Sequence, residues 1–194
     1  MHKGDYLSII LKSNKTVFTF KDIALLWQEN LSPATKVRIN YYVKNGDLVR
    51  IRRGIYAKNI NYNRSELATR IFTPSYVSFE TVLAKEGLIF QVYEKIFVAS
   101  YLTREFTIGD QTYSLRKVKN AVLINPLGID FREESSIATT ERALLDTLYV
   151  NSDYHFDNLQ GVNWEQALEM LPIYTNKRME KVVKKLHRQA ENKN

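Results

Sequence analysis

The stretch "GDLVRIRRGIYAKN", residues 46–59, places three arginines in a short run of strand-forming residues. Arg50, Arg52 and Arg53 lie in its first half, and Gly54 follows them directly. Two short strand-like runs around a glycine predict a β-hairpin. Natural sheets often carry charge on edge strands to block aggregation, so a solvated hairpin edge is the simplest interpretation of the arginines. The segments that flank the hairpin decide whether they form a binding surface instead.

The segment before the hairpin has the pattern of three helices. Apolar residues in 5–13 are spaced as one face of a short helix, and residues 16–20 have strand composition. Thr19 is a predicted N-cap for a second helix, and Ser32, followed by a proline, is one for a third that runs to Gly46. This order is that of a winged helix-turn-helix: helix, short strand, helix, turn, helix and two-stranded ribbon.

The third predicted helix has a core face and an outward face. Ile39, Tyr42 and Val43 recur at helical spacing and are expected to face the core, with Arg38 near the boundary. In winged modules this helix enters the major groove while the ribbon reaches the flanking backbone, so we favour double-stranded DNA binding over a solvated face. The predicted DNA-binding residues are Ser32, Thr35, Lys36, Arg38, Asn40, Tyr41, Lys44, Arg50, Arg52 and Arg53.

Charge is distributed unevenly along the chain, whose net charge is +7. Residues 1–60 hold 11 basic and 4 acidic side chains, and residues 175–194 hold 7 basic and 2 acidic side chains. Residues 61–174 hold 10 basic and 15 acidic side chains. A polyanion is therefore attracted to both ends of the sequence and repelled by its middle.

Composition points to an ordinary globular protein. The 194 residues are 44% hydrophobic and 25% charged, enough for one sizeable core or two small ones. The absence of cysteine leaves no disulfide framework or thiolate metal site and suits a reducing cytosol. The apolar runs are too short to span a bilayer, so we expect a cytoplasmic protein without a membrane partner.

Beyond residue 60 a polar linker leads into a second pattern of helices and strands. Ser78 is a predicted helix N-cap, and residues 120–131 have strand composition. Arg142 and Asp146 are four residues apart on a predicted helix and are expected to pair on its surface. The predicted fold class is mixed α+β: a winged helix-turn-helix in residues 1–60, then a mixed α/β domain with a helical C-terminus in residues 61–194.

The last predicted helix is strongly amphipathic. Met179, Val182, Val183 and Leu186 fall on one side of it, and the cations fall on the other. Base rates favour a solvated face, and the alternative is contact with a nucleic acid or an acidic partner. The candidate partner-binding residues are Lys177, Lys181, Lys184, Lys185 and Arg188.

The sequence carries no recognisable catalytic motif. It has no phosphate loop, no dinucleotide-binding glycine motif and no His-Glu-x-x-His, and Ser75 and Ser78 lack a neighbouring base. Its three histidines, His2, His155 and His187, are far apart in the sequence. A cluster of three acidic residues could bind a divalent metal, although a charged loop is the commoner explanation. The cluster consists of Asp130, Glu133 and Glu134. We therefore predict no enzymatic activity, cofactor or metal.

The chain contains, in this order, the motifs "DLVRIRRGIYA", "SYVSFETVLAKEGLI" and "IATTERALLDTLY". Together they resemble the AbiEi family of antitoxins from type IV toxin-antitoxin systems, and the resemblance covers roughly residues 6 to 150. The family often has proline where this chain has Thr140. The resemblance implies a winged helix-turn-helix that represses its own promoter and an α/β antitoxin domain that counters a nucleotidyltransferase-like toxin.

A third hypothesis keeps the DNA-binding module and replaces the toxin by a small-molecule inducer. Phe79, Tyr93, Phe97 and Tyr101 could line a pocket in the second domain. Aromatic residues at strand and helix spacing are more often core residues. A neighbouring metabolic operon would favour the sensor, and a neighbouring nucleotidyltransferase-like gene would favour the antitoxin.

Overall fold

The computed structural model describes residues 5–191 and divides the chain into two compact units, residues 1–71 and 72–194. Both units combine helices with a β-sheet, which confirms the mixed α+β class. Among residues 5–191, none of the helices combines the length and the apolarity that crossing a membrane requires.

The first unit is a winged helix-turn-helix, as the sequence predicts. Its three strands form one antiparallel sheet in the order β1, β3, β2, so that the hairpin of β2 and β3 is the wing. The elements are α1 (Asp5–Lys12), β1 (Val17–Thr19), α2 (Phe20–Leu26), α3 (Pro33–Lys44), β2 (Val49–Arg52), β3 (Ile55–Ala57) and α4 (Arg64–Ile71).

Local side-chain chemistry fixes the two helices that precede the wing. Thr19 and Asp22 form a capping box at the start of α2, each side chain accepting from the backbone N–H of the other. Ser32 Oγ accepts from the Thr35 N–H at the start of α3. Helix α3 ends where Gly46 turns to φ +80°, a conformation that favours glycine.

The core of this unit lies between the helices and the small sheet. Ile39 and Tyr42 from α3 are buried there, as their spacing predicts, while Val43 is half-buried. The indole Nε1 of Trp27 donates to the Tyr6 carbonyl, so the one polar atom of that large side chain is satisfied. The core cluster consists of Ile10, Phe18, Ile23, Trp27, Ile39, Tyr42, Leu48 and Tyr56.

Helix α4 lies in the first unit although it follows the polar linker near residue 60. The carboxylate of Glu66 is buried, and its Oε2 accepts from the backbone N–H and the hydroxyl of Thr16, at 2.8 Å and 2.7 Å. The Val17 N–H donates to the same oxygen at 3.2 Å. Because these bonds join α4 to β1, the division between units falls after Ile71 rather than at residue 60.

The second unit is a six-stranded mixed sheet with helices and a helical C-terminus. Its strand order is β6, β7, β5, β4, β9, β8, in which β5–β7 and β4–β9 are the parallel pairs. The elements are β4 (Ser75–Val77), α5 (Glu80–Lys85), β5 (Ile96–Ser100), β6 (Arg104–Ile108), β7 (Gln111–Lys117), α6 (Asn120–Leu123), β8 (Ile129–Arg132), β9 (Ser135–Ala138), α7 (Thr140–Val150), α8 (Trp164–Met170) and α9 (Lys177–Glu191).

Two local predictions for this unit are wrong. Residues 120–131 are not one strand, because Asn120–Leu123 is a short helix and β8 starts only at Ile129. Ser78 does not cap α5: Phe79 stands at the N-cap position with φ 56° and makes no side-chain cap bond. The Ser78 hydroxyl donates instead to Asp146 Oδ2 at 2.8 Å.

The predicted surface pair of Arg142 and Asp146 is also wrong, because both side chains are fully buried. Arg142 Nε lies 3.4 Å from Asp146 Oδ1. The guanidinium also donates to the Tyr76 hydroxyl at 2.9 Å and to the Leu127 carbonyl at 2.7 Å. Asp146 accepts from the Tyr174 hydroxyl at 2.7 Å. Because the charges have each other and several further partners, α7 can be buried on nearly every side.

Removing one member of this buried pair should destabilise the protein strongly. Asp146→Ala leaves the Arg142 charge buried without its counter-ion, which costs about 3–5 kcal/mol in free energy of unfolding. Asp153→Ala is the control, because the Arg178–Asp153 pair has side chains 71% and 82% exposed and should contribute about 0–1 kcal/mol. Urea unfolding of the full chain measures both losses; equal losses would contradict the structural role of the buried pair.

Candidate nucleic-acid interface

The outward face of α3 is a continuous surface of polar and apolar side chains. Lys36, Val37, Tyr41 and Lys44 are exposed, and Asn40 is partly exposed. Val37 retains 68% and Tyr41 retains 46% of its accessible surface. A helix face of this composition offers both hydrogen-bonding groups and apolar contacts to a partner.

The wing presents its arginines on one edge of the sheet, because β2 is an outer strand. Arg50, Arg52 and Arg53 are all exposed. Gly54 has φ +79° and makes the tight turn into β3 possible. The register shifts within β2: Arg50 pairs with Tyr56, whereas Arg52 pairs with Ile55. Such a bulge twists a strand and changes where its side chains point.

Helix α3 and strand β2 together line a groove of about 500 Å³. Its walls come from Val37, Asn40, Tyr41, Val43 and Lys44 on the helix and from Arg50 on the wing. The Arg50 guanidinium donates to Asn40 Oδ1, so a side chain of the wing is directly bonded to the outward face of the helix. The structure thus brings together, within one groove, four of the residues that the sequence assigns to DNA: Asn40, Tyr41, Lys44 and Arg50.

Three of the sequence-predicted residues are used inside the unit. Thr35 is fully buried, and its hydroxyl donates to Glu29 Oε2 at 3.0 Å. Because its side chain has no exposed surface, the prediction that Thr35 contacts DNA is wrong. Ser32 is occupied as the N-cap of α3. Arg38 forms an ion pair with Glu29, and its guanidinium lies 4.0 Å from the Tyr6 ring centroid.

The carboxylate of Glu29 binds side chains from both α1 and α3. Burial raises the pKa of its carboxyl, but hydrogen bonds from Arg38, Tyr6 and Thr35 outweigh burial and hold that pKa below its usual range. The Tyr6 hydroxyl donates to Glu29 Oε1 at 2.8 Å. One carboxylate therefore connects α1 with the first half of α3, and the ionised form is the one that the fold favours.

A second cationic surface lies on α9, in the other unit. Met179 and Val183 are buried, while the predicted partner-binding residues lie on the exposed side. Among residues 5–191, no carboxylate lies within ion-pair distance of these five cations, whereas the neighbouring Arg178 pairs with Asp153 at 3.3 Å. The exposed cations are Lys177, Lys181, Lys184, Lys185 and Arg188.

The residues considered for catalysis or metal binding are dispersed. His2 lies outside the described residues, and His155 is exposed. His187 stacks on Trp164 with ring centroids 5.1 Å apart. Asp130 pairs with Arg132 in the β8–β9 hairpin, whose turn contains Glu133 and Glu134. Within residues 5–191, no three histidine, cysteine or acidic side chains are grouped so that they could hold a metal ion.

Comparison with known families gives a match for the winged region. This region matches the AbiEi antitoxin family. The matching family model is described as a transcriptional regulator, AbiEi antitoxin, and it covers residues 5–57, from the start of α1 to the end of the wing. No curated protein matches the chain significantly. The AbiEi match supports a DNA-binding regulator of the antitoxin class.

Sequence reasoning missed two features of the charged side chains. The bond between Arg50 and Asn40 joins residues that were assigned to separate tasks, and only the hairpin register could have suggested it. The buried network around Arg142 was missed because a charged pair four residues apart normally indicates solvent exposure. The apolar residues around both charges on α7 were the available signal that this helix has no wide solvent face.

Neutralising Glu29 should weaken the first unit at neutral pH and flatten its response to acid. Because the pKa of Glu29 is lowered in the folded state, its contribution to stability is present at neutral pH. That contribution is lost as pH falls below the unfolded value of about 4.3 and through the folded pKa. Glu29→Gln should therefore be less stable than the parent near pH 7, and the difference should shrink as the pH falls below about 4.3.

Urea unfolding followed by tryptophan fluorescence measures this effect. The chain has two tryptophans, so a Trp164→Phe background leaves Trp27, in the core of the first unit, as the reporter. Glu165→Gln, at an exposed position of the second unit, is the matched control. If the difference in unfolding free energy between the parent and Glu29→Gln stays constant with pH, the ionised carboxylate of Glu29 does not stabilise the first unit.

Proposed function

We propose that this protein is a DNA-binding regulator that represses its own promoter and an antitoxin that counters a nucleotidyltransferase-like toxin. The observation that carries the DNA-binding part is the groove in which the outward face of α3 meets the wing. The AbiEi match over residues 5–57 supports the same assignment. The proposed division of labour places DNA binding in the first unit and toxin neutralisation in the second.

The proposed contacts on DNA follow from the chemistry of each side chain. Helix α3 lies in the major groove, where Asn40 and Tyr41 face base edges. Lys36 and Lys44, at either end of the same helix face, lie against phosphates. Arg52 and Arg53, which have no acidic partner within residues 5–191, bind the flanking backbone as planar donors.

The antitoxin part rests on the motifs in the second unit and on its surface. Residues 75–89 and 137–149 form β4, α5, β9 and α7, whose buried side chains build the framework of this unit. A framework cannot by itself select a partner, so the contact must come from exposed groups. The uncompensated cationic face of α9 offers such a surface to an acidic region of the toxin.

A small-molecule sensor is the second candidate, favoured by one cleft. The cleft has a volume of about 780 Å³ and is lined by Phe90, Tyr154, Phe156 and Leu186 among others. It is not the pocket suggested by sequence, because Phe79 and Phe97 are buried in the core with 0% and 5% exposure. The lining also includes polar side chains, among them His155, Asp157 and Gln160. We rank this candidate second because the AbiEi match over residues 5–57 describes a regulator of the antitoxin class.

Removing the wing arginines should weaken DNA binding equally on all sequences. Arg52→Ala combined with Arg53→Ala deletes two phosphate contacts, and the slope of log affinity against log salt should fall by about 0.9 per contact. Lys184→Ala with Lys185→Ala removes the same charge from the second unit and is the control. Titration of the full chain on its own promoter fragment at several salt concentrations measures both. Equal effects of the two double variants would contradict a wing-specific contact.

Toxin neutralisation should survive loss of the wing and fail on charge reversal in α9. In cells that co-express the neighbouring nucleotidyltransferase-like gene, the Arg52→Ala, Arg53→Ala variant should still protect growth. Lys181, Lys184 and Lys185→Glu should not protect, because a reversed face repels an acidic surface. The control reverses three other exposed lysines of this unit, Lys85, Lys117 and Lys119.

Two outcomes of this growth assay would count against the antitoxin assignment: protection that requires the wing arginines, and absence of toxicity from the neighbouring gene. Either would leave a transcriptional regulator without an antitoxin function. Equal failure of the two lysine variants would instead show that α9 is not the specific contact. Direct DNA binding, measured as above, is independent of all of these outcomes.

A further inference from the structure

Arg50 differs from the other two wing arginines because it has partners. Its guanidinium donates to Asn40 Oδ1 on α3 and lies 5.8 Å from the ring centroid of Tyr56. Arg52 and Arg53 make no ion pair or side-chain hydrogen bond within the part of the chain that the structure describes. The three arginines of one hairpin are therefore not equivalent.

The bulge in β2 accounts for this difference. Arg50 lies opposite Tyr56 before the bulge, and Arg52 lies opposite Ile55 after it, so Ile51 is the extra residue. A bulge bends the strand and changes the direction of the side chains that follow it. Arg50 stays in the groove beside α3, and Arg52 and Arg53 continue to the tip of the wing.

The bond from Arg50 decides which hydrogen-bonding group Asn40 offers. An asparagine amide has one acceptor oxygen and an amino group with two donors. The Asn40 oxygen accepts from Arg50, and its Nδ2 has no hydrogen-bond partner within residues 5–191. Asn40 therefore offers donors to the groove, in a position fixed by a residue of the wing.

We propose that Arg50 is a positioning residue for base reading, which holds Asn40 so that its Nδ2 donates to an acceptor on a base edge. This inference rests on the proposed DNA binding of α3. The acceptors in the major groove are purine N7, guanine O6 and thymine O4, whereas the amino group of cytosine offers a donor. Arg50 and Asn40 together thus select against cytosine at the contacted position.

The neighbours of Asn40 on α3 support this role. Val37 lies one turn before it and Tyr41 directly after it, and both are exposed on the wall of the same groove. Apolar side chains that flank a donor exclude water from the hydrogen bond once a base is docked. Val37 also offers methyl groups that can contact a thymine methyl next to the base that Asn40 reads.

The experiment compares full-chain variants on a panel of duplexes. Wild-type protein first selects its preferred sites from a pool of randomised duplexes, and every single base-pair change in the selected site is then titrated. Asn40→Ala should identify one base pair at which discrimination is lost. Arg50→Ala should lose discrimination by about tenfold at that same base pair and retain it elsewhere. Arg52→Ala, the control, should weaken binding to all duplexes by the same factor.

Two further variants separate positioning from charge. Asn40→Asp keeps an oxygen for Arg50 but replaces the donors by an acceptor, so its preference should move towards cytosine or adenine, whose amino groups donate, at the contacted position. In the Asn40→Ala background, Arg50→Ala should cause no further loss of discrimination, since the two residues act as one unit. Urea midpoints equal to that of the parent show that each variant is folded.

The outcomes distinguish this inference from the function on which it rests. If Arg50→Ala lowers affinity uniformly, as Arg52→Ala does, Arg50 is a phosphate contact and the positioning role is wrong while DNA binding stands. If Arg50→Ala and Asn40→Ala affect different base pairs, the positioning role is also wrong. If wild-type protein selects no sequence from the pool, specific DNA binding by this chain is itself wrong, and the inference falls with it.

Discussion

The binding surface of the first unit depends on the hydrogen bonds and the ion pair that the carboxylate of Glu29 makes. This carboxylate accepts from Tyr6 of α1 and pairs with Arg38 of α3, and Thr35 donates to it from the buried start of the same helix. A single partly buried anion thereby fixes how α3 sits against α1. Asn40 follows Arg38 by only two residues, so the placement of the proposed base-reading group depends on a contact that never touches DNA.

The second unit uses buried charge differently. Arg142 and Asp146 lie within one helix and tie α7 to the strand of Tyr76 and to the turn of Tyr174. Several hydrogen bonds to hydroxyl and carbonyl groups compensate the desolvation of the two charges. The side chains of Arg142, Asp146, Tyr76 and Tyr174 are all buried, so the function of this network is to define the framework. Among the exposed groups of this unit, the cations of α9 are the ones that we propose for contact with a partner.

The sequence predicts the first unit well because short-range rules decide it. The caps at Thr19 and Ser32 and the turn at Gly54 each depend on residues within a few positions, so they can be recognised without knowing the fold. In the second unit long-range contacts override such rules. Ser78 has the chemistry of a cap, yet its hydroxyl bonds to Asp146, 68 residues away in the sequence. Arg142 has the spacing of a surface pair with Asp146, yet both side chains are buried and bonded to groups distant in the sequence, such as the Tyr76 hydroxyl.

The arginines show how far residue type can be taken as a guide to function. Arg38 stabilises the helix that carries the surface, Arg50 bonds to a neighbour on that surface, and Arg52 has no partner of its own in the described chain. A guanidinium whose donors are already aimed at protein groups is restrained in position and can orient a neighbour. One without such partners is free to follow a phosphate. The number of cations therefore predicts that a polyanion binds. The bonds that each cationic side chain already makes within the protein predict whether it helps to read the base sequence or only contacts the DNA backbone.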